Sequence, residues 1–136
     1  MTGLQVVLDT DVLSAVMRRN PLVLPSARKY LTEYGSFTLS VITRYEILRG
    51  LRAKGALRQQ MAFDRLCSLS TVLPVTDDVA DRAAEIYADL RGRGSLIGDA
   101  DILIAATALV HGLGVVTNNQ DHFKRVPGLS VGTWSE

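Results

Sequence analysis

Short apolar runs alternate with segments of helical periodicity along most of the chain. The run 4–8 is apolar and includes β-branched residues, whereas Val12, Leu13 and Val16 recur at helical spacing. Because side chains repeat every second residue in a strand and about every 3.6 residues in a helix, the pattern changes type near Asp9. The sequence therefore predicts a strand that ends before Asp9 and a helix that begins directly after it.

The rest of the chain continues this alternation. Further strands are predicted at residues 37–39, 71–75, 114–117 and, at a sheet edge, 129–131. Helices are predicted at residues 26–34, 41–52, 57–69, 76–91 and from 99 onward, with a short helix or turn at 119–123. Parallel neighbouring strands need crossover connections, and these helices supply them. We therefore expect an α/β fold, a three-layer sandwich with a mostly parallel central sheet.

Length and composition narrow the class of protein. The chain has 136 residues, 47% of them hydrophobic and 21% charged, which suits one folded domain spanning 1–136 rather than a disordered tail. Its first residues lack the basic and long apolar segments of a signal peptide or a membrane helix. Cys67 is the only cysteine, so no intramolecular disulfide suggests export. We expect a cytoplasmic protein with no membrane partner.

The net charge of +1 hides an uneven distribution of charged residues. Residues 44–65 are mainly basic, with Arg44, Arg49, Arg52, Lys54, Arg58 and Arg65. Residues 77–101 are mainly acidic, with Asp77, Asp78, Asp81, Glu85, Asp89, Asp99 and Asp101. A basic segment near an acidic site suits an enzyme that acts on a phosphodiester backbone, because the cations hold the polyanion. The alternative is a solvated helix face with no such role.

Four acidic residues stand where a predicted strand stops or a helix begins, namely Asp9, Glu46, Asp99 and Asp101. The carboxyl ends of parallel strands meet at one edge of a sheet, where binding sites form. Asp9, Ser40 and the pair Asn118-Asn119 each follow a different predicted strand. Carboxylate oxygens gathered at such an edge are the ligands that hard divalent cations prefer. The pattern therefore indicates a metal-dependent enzyme.

The segment after the second predicted strand places Glu46 one turn into a helix. Ser40 is predicted to cap this helix, and Thr43 lies in its first turn. A helix that leaves the sheet edge would carry Glu46 toward the cleft. Alternatively, Glu46 forms a surface ion pair with Arg44 or Arg49, worth roughly a few tenths of a kcal/mol.

Asp99 and Asp101 open a helix that is apolar nearly all round. Helix positions two residues apart point to nearly opposite sides, so these two carboxylates cannot both bind one ion. Asp99 follows Gly98 and is predicted to be the N-cap, with a catalytic role as the alternative. Asp101 shares a face with inward-facing residues such as Ile104, where a bound cation would compensate for the burial of its charge.

Four short motifs follow one another at these junctions. They are Leu8-Asp9-Thr10-Asp11-Val12-Leu13, Ser40-x-x-Thr43-x-x-Glu46-x-x-x-Gly50, Ile97-Gly98-Asp99-Ala100-Asp101-x-Leu103-Ile104-Ala105-Ala106 and Val116-Thr117-Asn118-Asn119-x-x-x-Phe123. Together they closely resemble the motifs of PIN-domain ribonucleases of the VapC toxin type. The resemblance covers essentially the whole chain, ending in Pro127-Gly128-Leu129 and Trp134. Each motif is weak alone, whereas four in order at suitable separations are specific.

The resemblance implies a PIN-like fold and the toxin of a type II toxin–antitoxin pair, which cleaves RNA with Mg²⁺ or Mn²⁺. By position, Asp9 and Asp101 match the family's principal metal-binding acids, and Glu46 matches its third catalytic acid. Asn119 stands where many relatives carry a fourth acid, and this departure weakens the case for a full second metal site. Asp121 is a candidate replacement, displaced by two residues.

Neighbouring residues receive supporting roles from the same resemblance. Hydroxyl groups would fix the acids by hydrogen bonds, from Thr10, Ser40, Thr43 and Thr117. Asp11, where relatives often have Asn, would help to cap the first helix. Water activated by the metal would leave 5′-phosphate and 3′-hydroxyl ends. The ending Thr117-Asn118-Asn119 is similar to that of enterobacterial relatives that cut initiator tRNA, so tRNA is the expected RNA.

The protein partners that the resemblance implies are a VapB-like antitoxin and a second copy of the chain in a homodimer. The predicted helices 41–52 and 57–69 carry apolar side chains that would either fill the core or form a groove for an antitoxin helix. These are Leu48, Leu51, Leu57, Met61, Phe63 and Leu66.

Three other functions compete with this interpretation. A metal-free ribonuclease would need His111 and His122 together, although His111 is expected to cap a helix end or face solvent. A nucleotide-binding module is disfavoured because no glycine-rich phosphate loop follows the first strand. A metal-independent domain that binds RNA or protein predicts that Asp9→Ala leaves every activity unchanged.

Overall fold

The computed structural model describes residues 4–135. Its strands are β1 (Val6–Leu8), β2 (Thr38–Ser40), β3 (Thr71–Leu73), β4 (Gly114–Val116) and β5 (Val131–Gly132). Its helices are α1 (Thr10–Met17), α2 (Leu24–Tyr34), α3 (Val41–Ala53), α4 (Leu57–Ser68), α5 (Asp77–Gly92), α6 (Asp99–Val110) and α7 (Gln120–Phe123). Every element predicted from the sequence is present in the predicted order.

The strands form parallel ladders at the centre of the molecule. β4 pairs with β1 on one side and β5 on the other, and β2 pairs with β3. β2 also lies beside β1, so the strands run in the spatial order β3-β2-β1-β4-β5. Each strand pair in residues 4–135 is parallel, and a helical crossover connects its members. The predicted α/β sandwich with a mostly parallel sheet is confirmed.

Two apolar clusters cover the two faces of the sheet. In β1, Val7 packs with α5 and α6, whereas Val6 and Leu8 pack with α1 to α4 on the opposite face. This division follows from the alternation of side chains along a strand. All three β1 side chains are buried, which is why the strand is apolar throughout. The sheet therefore lies between two helical layers, and its polar residues are left at the strand ends.

Local chemistry explains where the element boundaries differ from prediction. The predicted strand 71–75 ends at Leu73, because Pro74 has no N–H to donate to a ladder. α2 begins at Leu24, so Pro25 lies in its first turn rather than before the helix. Gly35 ends that helix as predicted, with a φ of 86° that favours glycine.

The structure also describes the surroundings of the single cysteine and the apolar character of the helices. The thiol of Cys67 is buried in the cluster between α4 and the sheet. Within residues 4–135, no helix combines the length and the apolar character needed to cross a membrane.

Candidate active site

Asp9 lies at the carboxyl end of β1 with both of its carboxylate oxygens engaged. Oδ1 accepts a hydrogen bond from the N–H of Thr10 at 2.8 Å, which makes Asp9 the N-cap of α1. Oδ2 accepts from the hydroxyl of Thr117 at 2.8 Å. Thr117 directly follows β4, the strand paired with β1. Two neighbouring strand ends thus hold one buried carboxyl group, which is only 6% exposed.

Burial is the main cause of an unusually high pKa at this carboxyl group. It raises the pKa of Asp9 from 3.8 to about 7, with a further contribution from the negative charge of Asp11 and a smaller one from Asp101. The hydrogen bonds from Thr117 and Thr10 oppose the rise. Near neutral pH the group therefore holds a proton part of the time, unless a cation replaces it.

Asp11 contributes a second carboxyl group that sequence reasoning had treated only as a helix cap. Its Oδ2 accepts from the N–H of Asn118 at 3.2 Å, whereas its Oδ1 is buried without a hydrogen-bond partner. Burial also raises the pKa of Asp11 above its ordinary value. A buried oxygen with no donor is costly, so Asp11 belongs to the acidic site. The available signal was a second acid in the first turn after β1.

Glu46 reaches the same region from α3 through two threonine hydroxyls. The Thr10 hydroxyl donates to Oε1 of Glu46 at 2.6 Å. Because Thr10 has one hydroxyl hydrogen, the Thr43 hydroxyl 3.1 Å away is the donor in the Thr10–Thr43 bond. Oε2 of Glu46 lies 3.9 Å from the Arg49 guanidinium. Glu46 thus faces the cleft and also keeps the surface ion pair that was the alternative.

Asp101 and Asp99 lie in the first turn of α6 in different environments. The prediction that Asp99 caps this helix is wrong, because Gly98 occupies the N-cap and Asp99 is the first helical residue. Gly98 takes this place without a side-chain bond, since glycine adopts the extended cap backbone readily. Asp99 is exposed, whereas the Asp101 side chain is 23% exposed and contacts α7. Asp101 is therefore the member of the pair that lies among the acids.

His122 and Asn119 complete the group of side chains around Asp101. Nδ1 of His122 lies 3.0 Å from Oδ2 of Asp101 and 2.7 Å from the amide nitrogen of Asn119. The backbone N–H of Asn119 donates to the Thr117 hydroxyl at 2.8 Å, which ties this group to Asp9. Sequence reasoning missed His122 as a neighbour of Asp101, because that contact exists only once α7 packs on α6.

The two histidines are not neighbours. His111 is exposed at the C-terminal end of α6, as expected, whereas His122 contacts Asp101 in the first turn of that helix. The rise of a helix separates these ends by about 15 Å. A metal-free mechanism that uses both imidazoles is therefore not supported.

Two further candidates lie outside the hydrogen-bonded group. Ser40 is the N-cap of α3 as predicted, and its hydroxyl accepts from the N–H of Ile42 at 3.0 Å. Among residues 4–135, no acid is a partner of that hydroxyl. Asp121 is exposed in the first turn of α7.

The donor set fits a hard divalent cation. The charges of Asp11 and Asp101 raise the pKa of Asp9, the charge of Asp101 also raises the pKa of Asp11, and Asp11 keeps a buried oxygen without a partner. A cation would satisfy that oxygen and relieve the repulsion. As they stand, no three His, Cys, Asp or Glu side chains in the described part of the chain are grouped to hold a metal. The carboxylates would therefore have to move closer together around an ion.

Basic and apolar side chains of α3 and α4 border this site. Arg44 pairs with Asp64 at 3.3 Å, whereas Arg52, Lys54 and Arg58 are exposed. Of the six apolar side chains singled out in these helices, Phe63 is buried and Leu48, Leu51 and Leu66 pack against the core. Leu57 and Met61 remain 71% and 73% exposed. The core thus takes most of the set and leaves two apolar side chains at the surface.

A groove of about 400 Å³ connects the acidic site with these helices. It runs between α1, α3 and α4, and Thr10 and Glu46 lie in its wall. Met17, Ile47 and Leu51 supply apolar surface, and Lys54 adds a positive charge.

The chain is similar in sequence and in fold to known proteins. The family described as "PIN domain" matches residues 6–129. Ribonuclease VapC2 of Haemophilus influenzae is 33% identical over 132 residues, which cover 96% of this chain and 98% of that protein. The tRNA(fMet)-specific endonuclease VapC of Shigella flexneri is 28% identical, over 97% of this chain and 99% of that one. The DNA-bound VapBC structure from Salmonella typhimurium contains a chain of 27% identity that superposes with a TM-score of 0.86, over 97% of this chain and 99% of that one.

Proposed function

This chain belongs to the PIN-domain family and, within it, to the VapC ribonucleases, and from this premise we propose that it is an endoribonuclease that acts as the toxin of a type II toxin–antitoxin pair. The observation that carries the proposal is the buried acidic group at the carboxyl ends of β1 and β4. Family membership agrees with the resemblance read from the four sequence motifs. The alternative of a metal-independent binding domain is not favoured, since it gives no reason to bury the carboxyl groups together.

We propose Asp9 and Asp101 as the principal ligands of a divalent cation, Mg²⁺ or Mn²⁺. The free oxygen of Asp11 supports its addition to this set, although sequence reasoning gave Asp11 no such role. When bound, the cation supplies Lewis-acid stabilisation of the charge that develops on the phosphodiester. Thr117 fixes Asp9 by donating to Oδ2, so the ligand oxygens are oriented before the substrate arrives.

Glu46 is proposed to orient the attacking water by accepting a hydrogen bond from it. The Thr10 hydroxyl holds Oε1, so Oε2 is the oxygen that can take this role, with Arg49 alongside. Attack on the phosphorus in line with the 3′ oxygen leaves 5′-phosphate and 3′-hydroxyl ends. Asn119 supports the site indirectly, through its contacts with Thr117 and His122. Asp99, being exposed, is proposed to have at most an electrostatic effect on substrate approach.

The proposed substrate is RNA, with tRNA as the first candidate. A relative that matches nearly the full length of this chain has the name tRNA(fMet)-specific endonuclease. Arg18 and the exposed Lys54 line the groove, where they can bind phosphates of a polyanion, and Arg52 and Arg58 add exposed positive charge on α3 and α4.

The proposed protein partner is a VapB-like antitoxin. The groove between α1, α3 and α4 combines apolar walls with Glu46 at one place and Arg18 and Lys54 at others, so a helix with apolar side chains and charges of both signs would fit it. Such a segment would cover the acidic site and exclude RNA. The homodimer stays a prediction, which the mass of the antitoxin-free protein in solution would test.

The test is cleavage of total RNA and purified tRNA by the protein freed of any partner. Reactions contain Mg²⁺, Mn²⁺ or EDTA, and the Asp9→Ala and Asp101→Ala variants are compared with wild type. Asp81→Asn removes an exposed charge from α5 and is the matched control. Metal-dependent cutting by wild type and control alone, with 5′-phosphate ends, supports the proposal. Cutting in EDTA, or equal cutting by the Ala variants, contradicts it.

A further inference from the structure

The two oxygens of Asp101 have different surroundings. Oδ2 lies 3.0 Å from Nδ1 of His122, whose side chain is 38% exposed. Among residues 4–135, no hydrogen-bond partner is found for Oδ1. The carboxylate is therefore fixed at one oxygen and available at the other.

Nδ1 of His122 lies within hydrogen-bond distance of two polar groups at once. It lies 2.7 Å from the amide nitrogen of Asn119 as well as 3.0 Å from Oδ2 of Asp101. A ring nitrogen carries at most one hydrogen, and it cannot donate and accept at the same time. A carboxylate is an acceptor only, so the hydrogen must point to Asp101 whenever Asp101 is ionised. With that hydrogen directed to Asp101, Nδ1 cannot accept from Asn119, so the amide of Asn119 has to turn its NH₂ group away from the ring, a rotation that keeps the shape of the side chain.

A carboxylate held in this way keeps Oδ1 free, whereas the N–H of His122 occupies one lone pair of Oδ2. We propose that His122 is a positioning residue that orients Asp101, so that Oδ1 is presented to a divalent cation. This inference rests on the proposed function, because it specifies how the same site takes its metal.

The partners of His122 leave the interaction with other acids to the remaining part of Asp101. The side chains in contact at Oδ2 are an imidazole and, next to it, an amide, which bring no negative charge. Asp121 is exposed on α7. The charge of Asp101 raises the pKa of both Asp9 and Asp11, so these carboxyl groups are near enough to interact with Asp101.

The test measures Mn²⁺ bound to metal-free protein by electron paramagnetic resonance, with no RNA present. Wild type should bind Mn²⁺. His122→Leu should weaken binding by roughly 10–100-fold, the usual effect of losing a group that orients a metal ligand. His122→Asn should restore most of the affinity, because its amide nitrogen can take the place of Nδ1. His111→Leu is the matched control, since His111 is exposed at the far end of α6, and should bind as wild type does.

A second polar variant provides a comparison that does not depend on the folding of His122→Leu. His122→Gln also keeps an N–H donor, but its longer side chain places it near Nε2 rather than Nδ1, so it should fail to restore affinity. If His122→Leu does not fold, the Gln and Asn variants carry the comparison. Unchanged affinity in His122→Leu, or equal affinity in the Gln and Asn variants, would overturn the inference.

Failure of this inference and failure of the proposed function are distinguishable. Wild type that cleaves RNA and needs Asp9 for Mn²⁺ binding, with His122→Leu unaffected, leaves the function intact and removes only the role of His122. Wild type that neither binds Mn²⁺ nor cleaves RNA removes the proposed function itself.

Discussion

Replacing Asp9 with Asn should stabilise the cation-free protein at alkaline pH while abolishing RNA cleavage. Burial, and then the charge of Asp11, raises the pKa of Asp9 from 3.8 to about 7. Between these values the folded state binds more protons than the unfolded chain, which has already ionised. The free energy of unfolding therefore falls as pH rises through this window and is lowest above it. Asn has no charge to lose, so the variant escapes this penalty.

The size of the change in stability follows from the difference between the pKa values of Asp9 in the unfolded and folded states. A change from 3.8 to about 7 corresponds to about 4 kcal/mol, at about 1.4 kcal/mol for each tenfold change in the equilibrium. Asn also fits the site, because its oxygen can accept from Thr10 and its amide can donate to the Thr117 hydroxyl. Part of the rise in the pKa of Asp9 comes from repulsion by the charge of Asp11, and this repulsion is absent when residue 9 is neutral. We therefore expect a gain of about 2–4 kcal/mol at about pH 8.

Urea denaturation in EDTA at about pH 5 and about pH 8 measures this effect. Wild type should lose stability between the two conditions, and Asp9→Asn should lose less. Saturating Mn²⁺ should stabilise wild type by mass action and leave the variant nearly unchanged. Asp81→Asn, which removes an exposed charge, should follow wild type throughout. The reasoning is refuted if Asp9→Asn is less stable than wild type at about pH 8, or if the two proteins respond to pH in parallel.

Two further substitutions test the neighbours of this carboxyl group and the sheet that supports it. Thr117→Val removes the hydroxyl whose hydrogen bond opposes the raised pKa of Asp9, so cleavage should fall roughly 10–100-fold and its pH profile should move to higher pH. A weaker but unshifted profile would contradict the role given to this bond. Gly114→Ala would place a Cβ 3.0 Å from the Ser130 carbonyl oxygen and should cost about 1–3 kcal/mol in a urea unfolding series. Gly132→Ala, with no atom within 4 Å of the new Cβ, should cost less, and equal losses would show that crowding is not the cause.

The sequence was sufficient for the parts of the site that depend on local pattern. The change of period at Asp9 located the end of β1, and the carboxyl-end rule for parallel sheets then brought Asp9 and Thr117 together. Ser40 was recognisable as a helix cap, because a cap requires only a side-chain oxygen and a nearby N–H.

The parts that the sequence could not supply depend on contacts between distant elements. Asp11 looked like a second capping acid, since burial of one oxygen without a donor is invisible until Asn118 is placed beside the other. His122 had no polar motif of its own, and its contact with Asp101 requires α7 to fold back on α6. The prediction that Asp99 caps α6 was wrong for a local reason. Gly98 and Asp99 are both suitable N-cap residues, and the sequence pattern alone does not decide between them.

The hydrogen bond between Thr117 and Asp9 joins residues that leave the ribosome at very different times. β1 is synthesised well before its partner β4 and before the contacts from α7, since Thr117 follows Asp9 by 108 residues. Such non-local pairing is slow to form, because the intervening chain must be ordered first. A nascent or prematurely terminated polypeptide therefore has the acids of the first strands and α3 without the neighbours that fix them. We therefore expect a polypeptide that stops before β4 to lack RNA cleavage, because it has no Thr117 to fix Asp9 and no His122 to contact Asp101.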